Sequence, residues 1–207
     1  SLLEHVETNG LRKKKGLIEL LDYLESNSIK KIVASSSIKS LVTLFLEKEQ
    51  LSHYFDAIIG GDEVSRAKPS PEIYEKAWKK VAIPKEKTLV LEDSLNGIRA
   101  SYDANIPVIM MPDLIQPTDE AKEKTVAILD DLSAVKMFIA QQNFQKATEG
   151  VASDSLYKLS LNGSEGKFGF VKIADEYSGT AAGNLANYYA GIAYLNTGKY
   201  DEAINYL

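Results

Sequence analysis

Three short stretches carry the side chains capable of chemistry. Ile32-Val33-Ala34-Ser35 ends an apolar run in a hydroxyl, with Ser36 and Ser37 following, where a strand pattern gives way to a helical one. The free N–H groups and positive dipole end of a helix suit a phosphate at that point. Capping the next helix is the competing use of the same serines. Ala67-Lys68-Pro69-Ser70-Pro71 presents an ammonium from a loop stiffened by two prolines at a helix start. Such an ammonium can pair with a carboxylate and with a transferring phosphoryl group, or it can be simply solvated. Leu89-Val90-Leu91-Glu92-Asp93-Ser94-Leu95-Asn96-Gly97 sets two adjacent carboxylates directly after an apolar strand. Carboxylates so placed are costly unless something positive meets them. Mg²⁺ is the natural partner, because it prefers carboxylate and phosphate oxygens together. An acidic N-cap accounts for Asp93 or Ser94 but not for the whole run.

The elements that must position these residues alternate between strand and helix. Helical spacing runs over Lys15–Asn27 (Leu17, Leu20, Leu21 and Leu24), Ile38–Lys48, Pro71–Val81 and Leu95–Asp103. Apolar strand-like runs fall at Ile29–Ala34, Ala57–Ile59, Thr88–Leu91 and Pro107–Met110, and Thr125–Leu129 with Leu132–Ile139 repeats strand then helix. Pro71 sits at a helix start, where its missing N–H costs nothing. The alternation predicts an α/β domain with a parallel sheet covered on both faces. Ligands of such sheets bind beyond the carboxyl ends of the strands, where the three motifs lie.

Ser35, Lys68-Pro-Ser-Pro and Glu92-Asp93-Ser-Leu-Asn-Gly, in that order, resemble the second, third and fourth motifs of the haloacid dehalogenase superfamily. The look is that of its beta-phosphoglucomutase-like and phosphoglycolate phosphatase-like subgroup, over residues of about 10–138. The resemblance implies a doubly wound core and a Mg²⁺-dependent phosphatase or phosphomutase of small phosphorylated metabolites. It implies Ser35 and Ser36 as phosphate ligands, Lys68 as the clamp between nucleophile and phosphoryl group, and Glu92 and Asp93 as Mg²⁺ ligands, directly or through water. The superfamily's first motif, Asp-x-Asp, supplies the nucleophile and the acid/base, and no Asp-x-Asp occurs in this sequence. Leu2–Leu11 reads as the tail of a cap, so the expected core is partial and inactive by itself. The absent strand would lie between those ending at Ser35 and Glu92, and the remaining sheet is expected to be unstable or to borrow a strand.

After Ile139 the strand pattern stops. Gln141–Leu161 reads as helical, Asn162-Gly163-Ser164-Glu165-Gly166 as a break, Phe168–Tyr177 as a short helix, and Thr180–Leu207 as a helix–turn–helix with Gly198 at the turn. Ala190, Gly191, Tyr194, Gly198, Tyr200 and Ala203 resemble the spacing of a tetratricopeptide repeat, although Asn187 stands where such repeats often carry Trp. The resemblance implies an all-α interaction scaffold with a possible protein partner and no catalysis. Two domains are therefore expected, residues 1–140 and 141–207.

Composition bounds these readings. With no Cys, the 207 residues hold no disulfide, thiolate metal site or cysteine nucleophile. A net charge of −5 argues against a general nucleic-acid binder. Apolar content of 44% is enough for a core. No apolar run approaches the roughly 18 residues of a membrane span, and Ser1 opens no signal-peptide pattern, so a soluble cytoplasmic protein is expected. His5 and His53, the Arg12–Lys15 charge run and Trp78 read as packing or solvated surface. Beside the phosphoryl-transfer reading stand two others: an interaction scaffold with a non-catalytic α/β part, and two unrelated halves joined artificially or by mis-assignment.

Overall fold

The computed structural model of the chain describes residues 13–149, 153–163 and 169–207. The expected cap tail at Leu2–Leu11, with His5 and Arg12, lies outside these residues, as do Ser164, Glu165 and Gly166 of the expected break. By contact the chain forms two compact units. One comprises Ile29–Asp131 with residues 13 and 14; the other comprises Lys15–Ser28 with the described part of Leu132–Leu207.

The first unit is α/β. Its strands are β1 (Ile32–Ala34), β2 (Ala57–Ile59), β3 (Val90–Glu92), β4 (Val108–Met110) and β5 (Ala127–Ile128). Its helices are α2 (Lys39–Lys48), α3 (Glu72–Val81), α4 (Leu95–Asp103) and α5 (Asp119–Lys124), with α1 (Leu17–Ser26) belonging to the other unit. All strand pairs are parallel, as the intervening helices require. The expected single sheet stands as two pieces, β1-β2 and β3-β4-β5. Across the β1–β2 pair Asp56 N donates to Lys31 O and Ser35 N to Ile59 O, so Ile32 and Ala34 turn their peptide groups the other way. Val90 N and Glu92 O bond toward β4, which turns Leu91 away from it. β1 and β3 thus each keep one edge unpaired with any strand among the described residues.

Apolar side chains of α3 and α4 seal the faces. Ile73 and Tyr74 of α3 meet Ile59, Ala100, Ala104 and Ile106 in one buried cluster, with Trp78 partly buried against it. Ile98, Val108, Met110 and Ala121 form another. The helix α5 was not anticipated; Thr118 caps it, accepting from Ala121 N at 3.1 Å, and Ala121 is its buried anchor. His53 is exposed, its ring 4.1 Å from that of Tyr54.

The second unit is helical: α1, α6 (Ala134–Thr148), α7 (Ser153–Asn162), α8 (Phe170–Glu176), α9 (Ala181–Asn196) and α10 (Tyr200–Ile204). The expected boundary at residues 140–141 falls inside α6, and the contact boundary lies at Asp131–Leu132. The reason is packing: Met137, Ala140 and Ala147 of α6 are buried in one cluster with Tyr157, Leu161, Phe170, Ile173, Ala186, Ala190 and Ala193. Small residues let these helices approach closely, and Phe144, Phe170 and Tyr189 fill the seam with rings 5.1–5.9 Å apart. Gly198, at φ +73°, makes the turn between α9 and α10 that its sequence position suggested. No described helix is long and apolar enough to cross a membrane.

Candidate functional site

The three motifs meet at the carboxyl ends of β1 and β3. Pro69 and Pro71 shape the turn before α3, closed by Ser70 N donating to Ala67 O at 3.0 Å, and the Lys68–Pro69 peptide is cis. Glu72, in the first turn of α3, reaches back to accept from Ser65 N and Arg66 N at 2.8 and 3.0 Å. The bond from Ser65 N is the main reason its carboxyl lies below the usual range, with Lys76 and Arg66 N adding to it. The loop so anchored aims Lys68 inward, with 10% of its side chain exposed.

The Lys68 ammonium has three hydrogens and three acceptors. Nζ donates to Ala34 O at 3.2 Å, to Tyr74 Oη at 3.0 Å and to Glu92 Oε1. One nitrogen therefore joins the end of β1 to the end of β3. Tyr74 Oη in turn donates to Glu92 Oε1 at 2.5 Å. The other carboxylate oxygen, Oε2, accepts from Asp93 N, Ser94 N and Ser94 Oγ at 3.1, 3.2 and 2.9 Å. Ser94 also caps α4, its Oγ accepting from Gly97 N at 3.1 Å.

The carboxylate of Glu92 thus sits at the N-terminus of α4, where the helix dipole favours negative charge. Only glycine fits the seat: a Cβ on Gly97 would stand 2.0 Å from Glu92 Cδ. Burial pushes the Glu92 carboxyl up, but the Lys68 charge and the bonds from Lys68, Tyr74 and Ser94 outweigh it and hold the group below the usual range. Burial, and then the Glu92 charge beside it, push the Tyr74 phenol well above its ordinary range.

The expected ligands divide. Ser35 is half-buried, its N donating to Ile59 O at 3.0 Å and its Oγ accepting from Ser37 N at 3.2 Å. Ser36 is exposed, and its carbonyl abuts Gly61, where a Cβ would stand 2.2 Å away. The serines do not cap α2. That role passes to Asp62, whose Oδ1 accepts from Lys39 N at 2.7 Å. Asp93 is exposed and takes no hydrogen bond or ion pair on its carboxylate among the described residues. Glu92, by contrast, has both oxygens engaged by protein donors. Of the two expected Mg²⁺ ligands, Asp93 is available as a direct ligand and Glu92 is not in this arrangement. One carboxylate completed by water and phosphate oxygens fits the way Mg²⁺ is commonly held.

Tyr74 was not foreseen. On α3 it reads as one more apolar-face residue beside Ile73, and its hydroxyl finds partners only through the fold. The signal available was chemical: a tyrosine on a buried face needs a partner for its hydroxyl.

The profile of the haloacid dehalogenase-like hydrolase family matches residues 2–111. A phosphorylated carbohydrates phosphatase of Thermotoga maritima is 34% identical over 96 residues, 46% of this chain and 44% of that protein. The CbbY protein of Cereibacter sphaeroides is 47% identical over 58 residues, 28% of this chain and 25% of that one. The chain thus spans less than half the length of either. The crystal structure of CbbY from Rhodobacter sphaeroides in complex with phosphate matches with a TM-score of 0.53 at 30% identity, over 57% of this chain and 53% of that one. A HAD phosphatase from Thermococcus onnurineus matches in fold with a TM-score of 0.60 at 18% identity, over 67% of this chain and 64% of that one.

Proposed function

The chain belongs to the haloacid dehalogenase-like hydrolase family, and on that premise we propose that its α/β unit binds the phosphoryl group of a small phosphorylated metabolite, a sugar phosphate by the names of its relatives. The observation that carries the reading is Lys68: one buried, anchored ammonium held between the ends of β1 and β3. Ala34 O is its longest and only uncharged carbonyl acceptor, so a phosphate oxygen displaces that bond and gains a charge-assisted one. Ser35 and Ser36, next along the chain, offer their hydroxyls to the remaining oxygens. Asp93 is the carboxylate that would hold Mg²⁺, with Glu92 acting behind it as the counter-ion of Lys68. When bound, the ion would neutralise phosphate charge and orient an oxygen for displacement.

A covalent aspartyl-phosphate needs a nucleophilic carboxylate at the phosphorus. The sequence holds no Asp-x-Asp to supply one, so these residues bind phosphate without turning it over. The expected outcome is no hydrolysis of para-nitrophenyl phosphate with Mg²⁺, together with inorganic phosphate binding that Lys68→Ala removes. Hydrolysis abolished by Lys68→Ala would overturn the inactive reading. Phosphate binding untouched by that substitution would overturn the site.

The helical unit supports a second role, a tetratricopeptide-like interaction module. Ala186, Ala190, Ala193 and Ala203 are fully buried, and a Cβ on Gly191 would stand 2.5 Å from Leu207 Cγ. This is the close small-residue approach that such a helix pair requires. Pull-down by Ala181–Leu207 mutants against the unmodified chain tests for a protein partner; equal capture would remove the idea. Intact mass with N-terminal sequencing of the natural product tests whether the two units share one gene.

A further inference from the structure

We propose that Tyr74 is a positioning residue for Lys68: its buried hydroxyl, wedged between the ammonium and Glu92, fixes which Lys68 hydrogen can be released to a phosphate oxygen. The proposal rests on Lys68 being the phosphate-binding group.

The geometry is a closed triangle. Tyr74 Oη lies 3.0 Å from Lys68 Nζ and 2.5 Å from Glu92 Oε1, and Lys68 and Glu92 are themselves paired. A hydroxyl can accept from the ammonium and donate to the carboxylate at once, which no other uncharged side chain of that shape does. The ring is 5% exposed, set among Ile59, Ile73, Ala100, Ala104 and Ile106. Packing alone in that cluster would be served by phenylalanine. The hydroxyl is the only polar part, and both of its partners belong to the site. The ammonium also rests 4.8 Å from the ring centroid, so the same side chain limits its swing in two ways.

The hydrogens then divide by how firmly each is held. Glu92 Oε1 is fixed by its charge and by its seat over Gly97, and Tyr74 Oη by a ring locked in the core. Ala34 O, at 3.2 Å, belongs to a backbone carbonyl at the open edge of β1. With Tyr74 in place, the hydrogen facing Ala34 is the one that can be given up. Without its hydroxyl a second hydrogen loses its acceptor, and the ammonium is free to turn away from the strand ends.

Tyr74→Phe in the full chain tests this, because the ring and its packing stay. The first readout is hydrogen exchange of the Lys68 ammonium, followed by ¹⁵N-edited NMR. The second is titration with inorganic phosphate. Loss of one hydrogen bond to a charged group predicts exchange about 10-fold faster and phosphate affinity weaker by about the same factor. A purely packing role for Tyr74 leaves both unchanged, and that result overturns the proposal. If the unmodified chain binds no phosphate while Tyr74→Phe still frees the Lys68 hydrogens, the phosphate reading falls and the positioning by Tyr74 stands. If Tyr74→Phe does not fold, the unmodified chain decides: Lys68 ammonium hydrogens exchanging as fast as those of exposed Lys30 would overturn it.

Discussion

The α/β unit and the helical unit bury different things. In the first, the carboxyl ends of β1 and β3 enclose a lysine, a glutamate and a phenol that satisfy one another almost completely. In the second, the shared interior is methyl groups and rings, with Ala186, Ala190, Ala193 and Phe170 fully buried. Among the described residues its polar exceptions are Lys136, 1% exposed with Glu176 at 4.0 Å, and Ser160, whose Oγ donates to Tyr157 O at 2.8 Å. Buried polar networks cost desolvation and return geometry; apolar seams return stability and leave chemistry out. The contrast is the ground on which the proposed phosphate site is placed in the first unit.

Breaking the network should cost more than any change at the surface of either unit. Glu92→Ala leaves the Lys68 ammonium buried and unpaired, at an expected cost of about 3–5 kcal/mol. Trp78, the single tryptophan, lies in this unit and reports the loss as a lower urea midpoint by fluorescence. Replacing both partners, Lys68→Met with Glu92→Leu, should recover most of that stability while abolishing phosphate binding.

A smaller difference compares the same device in both units. Ser94 and Thr180 each cap a helix through the N–H three residues on, both at 3.1 Å. Ser94 also donates to Glu92 Oε2. Thr180→Ala should therefore cost about 1 kcal/mol and Ser94→Ala about 2 kcal/mol, measured by denaturant unfolding.

The gentlest test is pH. The folded Glu92 carboxyl lies below its unfolded value, so its contribution is complete above the ordinary carboxylate range. It is lost as pH falls through that range to the depressed folded value, and Trp78 fluorescence should show the α/β unit weakening there. Lys136 moves oppositely: burial lowers it, against the pull of Glu176. The helical unit should gain stability as pH rises from that lowered value through the ordinary lysine range, visible in the far-ultraviolet helical signal.

Much of this was legible in the sequence where the determinant is local. Ala57–Ile59 and Leu95–Asp103 keep the bounds that periodicity gave them, because an apolar run and a serine cap fix each end. The extent of α6 was not legible, since Ala134–Thr148 is held by partners in α7, α8 and α9 rather than by its own pattern. Its apolar residues do not fall on one face, so periodicity could not mark it as a single helix. At the site, residue types and order pointed to Lys68, Glu92 and Asp93. What could not be read was the division of labour between the two acids. That depends on Tyr74, on Ser94 and on the absence of a Cβ at Gly97, all of which act through space.

The edges of β1 and β3 that no strand pairs among the described residues have a consequence for handling rather than for chemistry. An open strand edge is a template on which another chain can add. Exposed Leu89 and Leu91 on or beside β3 add adhesive surface to it. Exposed Lys30 stands shortly before β1, and exposed Lys87 shortly before β3. Like-charged lysines flanking such strands act as gatekeepers, repelling a second copy before its backbone can dock. Their replacement by neutral residues should raise the chain's tendency to self-associate without touching any residue of the proposed phosphate site.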